Sequence, residues 1–198
     1  MSIRVEIYGN VGVSIGVVAE AGPLRDAFDG GRDLAIDDAM WHPLDGSPPQ
    51  ARGSLTIALD DILVAVADEA NDIPVHVQWH DVAVDIGPYR VTGQMPTMFG
   101  FDPGRALARP TGEFVLLKDV RIALVDDAAG TAVEQPAARV NRYLVDRVAA
   151  DMQLGFFFPG ATMVLTREDE RGTAAATAEI VAPLAAAAAA EAAPGTVA

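Results

Sequence analysis

Two of the three histidines have a spacing that could bind a metal. His76 and His80 are four residues apart, and on a helix they would share one face. The segment VHVQWH instead alternates apolar and polar residues, which predicts a strand. Four residues of a strand span about 13 Å, whereas two ligand atoms of one zinc ion lie within about 4 Å of each other. We therefore predict no metal site at this pair.

The sequence lacks the motifs of the common enzyme classes. It contains no cysteine, which excludes thiolate catalysis, cysteine zinc sites and disulfides. No Gly-x-Ser-x-Gly, phosphate loop or glycine-rich dinucleotide motif occurs, and the acidic residues do not follow the spacing of a calcium loop. We predict no catalytic residue, no metal and no cofactor.

Two arginines recur at matching places in a repeated octet. The stretch FDGGRDLA, Phe28–Ala35, returns as FDPGRALA, Phe101–Ala108, so that Arg32 corresponds to Arg105. Our first interpretation is structural: each arginine pairs with the aspartate that caps a short helical turn. The alternative is a pair of anion-binding arginines, one in each copy.

Trp41 and His42 lie in a proline-rich segment, DDAMWHPLDGSPPQA. Loops on a rigid scaffold often carry binding residues. Trp41 and His42 are therefore candidates for binding a small anionic ligand together with Arg32 and Arg105. The other interpretation is that Trp41 only covers the flank of the core.

Three consecutive phenylalanines form another candidate surface. In a strand, Phe156, Phe157 and Phe158 could not all face one core, because successive side chains point to opposite faces. Either both faces of the segment are covered, or the run leaves an exposed apolar patch for another chain. All three are candidate residues for binding a protein partner.

The repeated octet belongs to a longer internal similarity. Two further matches follow in the same order: Leu59–Glu69 with Leu117–Asp127, and Val77–Val82 with Val140–Val145. Three ordered matches with different offsets predict an internal duplication with loop insertions.

Most of the chain has the pattern of short strands. IRVEIY, VGVSIGVV, VAVDIG and YRVTG alternate or are bounded by turn residues, and EFVLL and VRIALV predict two strands separated by Lys118 and Asp119. We expect a short helical turn in each copy, capped by Asp29 or Asp102. Phe28 and Phe101 are predicted to close the two cores.

The order of the predicted elements resembles that of the small Sm-like β-barrels. The order is a strand, a bent strand, a capped turn, two further strands and then the segment VNRYLVDRV. Val140, Asn141, Val145 and Val148 fit the last two strands of that family, and the chain is also similar to actinobacterial proteins with tandem copies. The resemblance implies association through edge strands into rings, and RNA binding on one face. The net charge of −14 disfavours a polyanion, so nucleic acid is the partner that we favour least.

We expect an all-β protein of two tandem, duplicated Sm-like barrel units. The first covers residues 1–85 with a proline-rich insertion at 36–52, and the second covers residues 86–165 with the phenylalanine-rich segment. Residues 166–198 are rich in alanine, which predicts a flexible or partly helical tail.

The expected function is a non-catalytic scaffold or regulatory module that acts by protein–protein association, including self-association. The alternative is a small anionic-ligand-binding protein, or an enzyme, that uses Trp41, His42 and the repeated arginines. The start MSIRVEIYGN has no basic segment followed by an apolar one, and the alanine tract is too weakly hydrophobic to span a bilayer. We therefore expect a cytoplasmic protein with no membrane partner.

Overall fold

The chain is built mainly from β-strands. The computed structural model describes residues 2–19, 23–31, 33–68, 73–101, 112–126 and 132–166. The strands of the first half are β1 Ser2–Tyr8, β2 Gly12–Ala19, β3 Leu34–Pro43, β4 Gln50–Ile57 and β5 Val64–Ala67. Those of the second half are β6 Val77–Ile86, β7 Tyr89–Met98, β8 Phe114–Leu124, β9 Ala132–Asn141, β10 Arg147–Ala150 and β11 Thr162–Leu165. A short helix, α1, spans Leu24–Asp29, and a 3-10 turn spans Leu59–Asp61.

The strands of the described residues form one open sheet. Their order is β11-β10-β6-β7-β8-β9-β5-β1-β2-β3-β4, and the two end strands, β11 and β4, do not pair with each other. The all-β prediction is confirmed. Two separate barrels are not confirmed: in the described residues the sheet is open, and β5 pairs with β9 and joins both halves.

The two halves share one order of strand pairing. In the first half the order is β5-β1-β2-β3-β4, and in the second it is β10-β6-β7-β8-β9. In each half four consecutive strands form an antiparallel meander, and the fifth strand returns to pair with the first. The fifth strand of the first half also pairs with the fourth strand of the second half. In chain order, the second half therefore begins with β6.

A glycine bends the second strand of each half. Gly16 in β2 and Gly93 in β7 both lie where the pairing with the third strand shifts its register. A Cβ atom on Gly16 would lie 2.6 Å from the backbone oxygen of Asp37, and one on Gly93 would lie 2.9 Å from that of Lys118. Only glycine lets the neighbouring backbone approach so closely.

An aspartate with positive φ kinks the third strand of each half. Asp38 in β3 and Asp119 in β8 both have a φ of 51°. The sequence predicted two strands around Lys118 and Asp119, whereas the structure has the single strand β8. Two consecutive polar residues such as Lys118 and Asp119 are typical of a turn, but β9 pairs with β8 on both sides of the kink.

The first residues of the two octets lie in matching connections, but the other two sequence matches lie on elements that do not correspond. Phe28 lies in the last turn of α1 ahead of β3, and Phe101 follows β7; the rest of the second octet lies outside the described residues. The match that begins at Leu59 covers the 3-10 turn and β5, whereas its counterpart from Leu117 lies in β8. In the third match, one segment lies in β6, and the other lies at the end of β9 and in the turn after it. These two matches arise because strands that do not correspond have similar patterns of apolar and acidic residues.

Helix α1 begins after Pro23 and ends at Gly30. Proline supplies a φ of −62° at the N-terminal cap, which is compatible with entry into a helix. The prediction that Asp29 caps a helical turn is wrong, because Asp29 is the last helical residue and its carboxylate accepts a hydrogen bond from Arg25 Nε at 3.3 Å. The second predicted cap lies outside the described residues.

Two clusters of buried apolar residues form the core. The first core contains Val5, Ile36 and Leu59 among others, and the second core contains Val84, Val91 and Val148 among others. Aromatic rings connect the halves. Phe28 of α1 stacks on Phe114 of β8, with ring centroids 4.1 Å apart. Tyr8 of β1 and Tyr89 of β7 meet edge to face at 5.5 Å. Residues 1–165 accordingly form one compact unit.

Candidate functional site

Trp41 and His42 lie in strand β3 rather than in a loop. β3 continues to Pro43, and residues 44–49 turn the chain into β4, so the proline-rich segment is a β-hairpin. Both side chains are half-buried. The indole of Trp41 lies against Gly12 of β2, where a Cβ atom would collide with it. The absence of a side chain at Gly12 therefore makes room for Trp41.

An open pocket of about 450 Å³ lies beside Trp41. Ile7, Leu55 and Ile57 supply apolar wall, and Arg52 and Asp61 bring one positive and one negative charge. A concave site with apolar walls and few polar groups is the usual form of a small-ligand site. The pocket is therefore a candidate ligand site.

Arg52 is the cation of this pocket. Its guanidinium carbon lies 4.9 Å from the centroid of the Trp41 ring, which is within the range of a cation–π contact. The sequence pattern did not predict Arg52 as a site residue. Residues 44–49 contain Gly46 and two prolines, and reading them as a hairpin turn would have placed Arg52 close to Trp41. The predicted arginines Arg32 and Arg105 lie outside the described residues, and their two interpretations stay predictions.

The phenylalanine run forms a turn, not a strand. Phe158 is 1% exposed and belongs to the second core. Phe156 and Phe157 are half-buried and contact each other edge to face at 5.8 Å. The turn explains how neighbouring rings pack together, because the alternation of a strand does not apply. Partner binding by this run stays a prediction, and of the three rings Phe156 and Phe157 retain exposed surface.

Phe28 and Phe101 differ in burial. Phe28 is 4% exposed within the first core. Phe101 is half-buried and lies 5.2 Å from the ring of Phe157. Of the two octet rings, Phe28 alone is a buried core residue in the described part of the chain.

His80 is buried and has two polar neighbours, buried Thr97 and exposed Asp151. Its Nε2 lies 2.9 Å from Thr97 Oγ1, and its Nδ1 lies 3.9 Å from Asp151 Oδ1. His76 is exposed and precedes β6. Within the residues that the structure describes, no group of three or more potential ligands could hold a metal ion.

Strand β4 is the free end of the sheet. Gln50, Ala51, Arg52, Gly53, Ser54 and Thr56 are exposed, whereas Leu55 and Ile57 are half-buried. β4 pairs with β3 on one side, and no described strand pairs with its other side. Gly53 has a φ of 68°, which adds a local irregularity. The outer edge of β4 can accept another strand.

The opposite end of the sheet is covered by β11. This strand runs parallel to β10, from the pair Arg147 and Thr162 to the pair Ala150 and Leu165. The N–H of Thr162 donates to the backbone oxygen of Asp146 at 2.8 Å. The edge of β10 that faces away from β6 is therefore occupied within the chain.

A small charged cluster holds β10 to β6. Asp85 of β6 accepts a hydrogen bond from Arg90 Nε at 2.7 Å, and Arg147 Nη1 of β10 lies 3.6 Å from the same carboxylate. The hydrogen bond from Arg90, and the charges of both arginines, hold the pKa of the Asp85 carboxyl below its usual value. This contact does not involve β11.

Comparison with protein families, curated proteins and solved structures gives no match to this chain. The described part of the chain has no helix with the length and apolar character needed to cross a membrane. The fold and the site define a β-sheet protein with a free end strand at β4 and an open pocket beside Trp41.

Proposed function

We propose that the protein is a non-catalytic scaffold that associates with other chains, including copies of itself, through the end strand β4. The observation that carries the proposal is the difference between the two ends of the sheet. β11 covers β10, whereas the outer edge of β4 has no partner among the described strands. Such an edge presents N–H and C=O groups that pair with another strand.

The charge near β4 favours a second copy as the partner. The chain has 28 acidic and 14 basic residues, so two copies repel each other over most of their surfaces. Residues 46–59 contain no Asp or Glu, and Arg52 is their one charged residue. Two copies can therefore bring their β4 strands together without opposing carboxylates. Antiparallel pairing about a two-fold axis uses the same surface twice and closes at two chains.

Two tandem Sm-like units are part of the same proposal. The shared pairing order, the glycine bends at Gly16 and Gly93, and the kinks at Asp38 and Asp119 support descent from one duplicated unit. We propose that the units are joined edge to edge through β5 and β9. A cytoplasmic location stays a prediction from the sequence.

Thr56→Lys tests the association edge. Thr56 is exposed on β4, and a lysine on an edge strand opposes pairing with another strand. We expect the wild-type chain to form dimers in light scattering and native mass measurements. The variant should dimerise about tenfold more weakly, which corresponds to about 1.4 kcal/mol.

Ala35→Lys is the matched control for this experiment. Ala35 is exposed and lies directly opposite Thr56 on β3. It adds the same charge on the neighbouring strand, whose edge is already paired with β4. The control should retain the dimer. A wild-type chain that stays monomeric and captures no partner, or equal losses in both variants, would contradict the proposal.

Binding of a small anionic ligand is a second candidate function, favoured by the contact of Arg52 with Trp41 in an open pocket. Arg52 would hold a carboxylate or phosphate group, and Ile7, Leu55 and Ile57 would contact an apolar body. The acidic side chain of Asp61 makes a single negative charge on the ligand more suitable than several.

Benzoate, with one negative charge, is a suitable probe of this pocket, and phenyl phosphate, which carries about −1.5 to −2 at pH 7, is a second probe that should bind more weakly. In a Trp79→Phe background, Trp41 is the remaining tryptophan, and a bound probe should change its fluorescence. Arg52→Gln should weaken binding about tenfold or more, because a hydrogen bond to a charged group contributes about 1.5–3 kcal/mol. Arg4→Gln removes an exposed arginine outside the pocket and should have no effect. No response to either probe would rule out these ligand classes.

A further inference from the structure

We infer that β11 is a removable cap, and that β10 beneath it is a second association edge that accepts the β4 strand of another copy. The inference rests on the proposed role of β4 as an association edge. Beyond that role, β10 is the edge that receives β4, specific residues of β4 and β10 pair with each other, and β11 limits the size of the assembly.

The junction between the two halves is the template for this contact. β9 is the fourth strand of its half and β5 is the fifth strand of the other half, and they pair antiparallel at Val140 with Val64 and at Arg139 with Ala65. The N–H of Asn141 also donates to the backbone oxygen of Leu63 at 2.9 Å. The other fourth strand is β4 and the other fifth strand is β10, and β4 of one copy could pair with β10 of another in the same way. The contact that joins the halves can therefore be repeated between chains.

The shared pairing order also fixes which residues would meet. Leu55 of β4 pairs with Ile36, as Ala138 of β9 pairs with Leu117. Counting from these pairs, Thr56 and Ile57 correspond to Arg139 and Val140.

The fifth strands correspond in the same way. Val64 begins β5 opposite Tyr8, and Arg147 begins β10 opposite Asp85. The junction repeated between copies then places Ile57 opposite Arg147 and Thr56 opposite Val148.

β11 is suited to be displaced without loss of β10. It is four residues long, with Thr162 and Leu165 exposed, and its parallel pairing is slightly weaker per residue than antiparallel pairing. β10 keeps its antiparallel pairing with β6, and Val148 and Ala150 remain in the core. Loss of β11 would therefore expose a formed strand edge.

The cap determines how far an assembly can grow. With β11 in place, β4 is the free end strand of the described sheet, and an assembly through β4 closes at two chains. Without β11, each copy has two different edges that fit each other. Such head-to-tail contacts produce a ring when the rotation closes and a filament when it does not.

The double substitution Val164→Pro and Leu165→Pro tests the cap in the full chain. Proline cannot donate a hydrogen bond to a neighbouring strand, and two consecutive prolines remove one donor whichever residue faces β10. We expect the average mass in light scattering to rise about twofold or more above that of the wild-type dimer, as head-to-tail growth requires. A mass equal to that of the wild type, in a variant with an unchanged far-ultraviolet circular dichroism spectrum, would overturn the inference.

Thr166→Pro is the matched control, because Thr166 lies directly after β11. It should leave the mass at the wild-type value. Adding Thr56→Lys to the double-proline variant should lower the average mass at a given concentration, because β4 then pairs about tenfold more weakly. If Thr56→Lys leaves the average mass of the double-proline variant unchanged, the assemblies do not use β4 and the inference is wrong.

Disulfide trapping tests the residue pairing. The chain has no cysteine, so Ile57→Cys and Arg147→Cys can be introduced singly into the double-proline variant and the two proteins mixed. Directly opposed residues on antiparallel strands lie close enough for a disulfide. We expect mixed dimers of the two proteins on oxidation. Crosslinks of Arg147→Cys only with itself would contradict pairing of β4 with β10.

The outcomes separate the inference from the proposed function. A wild-type dimer that Thr56→Lys breaks, together with a double-proline variant of unchanged mass, would keep β4 as the association edge and remove β11 as the cap. A wild-type chain that stays monomeric while the double-proline variant assembles and forms the mixed disulfide would support the cap and remove the β4–β4 dimer.

Discussion

At the level of single residues, the two bending glycines have the most direct structural role. A Cβ atom at Gly16 or Gly93 would press on the backbone oxygen of the neighbouring strand, at 2.6 Å and 2.9 Å. We expect Gly16→Ala and Gly93→Ala each to lower the free energy of unfolding by about 1–3 kcal/mol. Urea denaturation measures this change. Gly155→Ala is the control, because the nearest atom to its Cβ would be 3.7 Å away, and equal losses in all three variants would contradict the explanation.

Two buried tyrosines give the protein a specific sensitivity to alkali. Burial raises the pKa of Tyr89 to about 12, and the Tyr89 hydroxyl donates to the backbone oxygen of Gly9 at 3.0 Å. Burial, and then the charge of Glu6, raise the pKa of Tyr8 further. A raised pKa favours the neutral form in the folded state, so the stabilisation is complete below the unfolded pKa of about 10 and is lost as the pH rises toward the folded value.

Tyr89→Phe tests this pH dependence. We expect the free energy of unfolding of the wild type to fall between pH 9 and pH 11, with Tyr89 contributing roughly 1 kcal/mol to the fall. Tyr89→Phe removes the ionising group and keeps the ring, so its stability should change less over the same interval. Urea denaturation at the two pH values measures the difference. Identical slopes for the two proteins would show that Tyr89 does not carry the effect.

At the level of elements, helix α1 connects the two halves through one aromatic stack. Phe28 of α1 lies on Phe114 of β8 at 4.1 Å, and such pairs contribute about 0.5–1.5 kcal/mol beyond their buried area. A double-mutant cycle with Phe28→Leu and Phe114→Leu should therefore give a coupling energy in that range. Phe28→Leu combined with Phe157→Leu, in the other core, should be additive within about 0.5 kcal/mol. Additivity in both cycles would exclude a stabilising contact between α1 and β8.

The same elements show what the sequence could and could not predict. Alternating residues predicted β1, β2, β6 and β7, because one face of each strand is buried and the pattern is local. The sequence predicts a break between strands at Asp119, since aspartate is common in turns, but in the structure Asp119 lies in left-handed backbone within β8. Arg52 was missed because its relation to Trp41 depends on the hairpin between β3 and β4. The pairing of β10 with β11 joins segments with no shared pattern, and only the folded chain reveals it.

At the level of the whole molecule, the joining of the halves should make folding a single event. β5 is held by β1 on one side and by β9 on the other, so the first half does not complete its sheet without a strand of the second. The sequence suggested two self-contained units, because each half repeats the same order of strands. Pairing between β5 and β9 depends on residues far apart in the chain, for which a local pattern has no signal.

The two tryptophans test this cooperativity, because each half contains one of them. Trp41 lies in β3 and Trp79 in β6. Trp79→Phe and Trp41→Phe thus leave a fluorescent probe in the first or the second half. If the halves unfold together, each probe will report the same urea midpoint as circular dichroism does for the same variant, as two-state behaviour requires. A midpoint for one tryptophan that differs from the circular dichroism midpoint would mean that the halves unfold separately. The strand pairing at Val64 and Val140 and the stack of Phe28 on Phe114 would then be too weak to couple them.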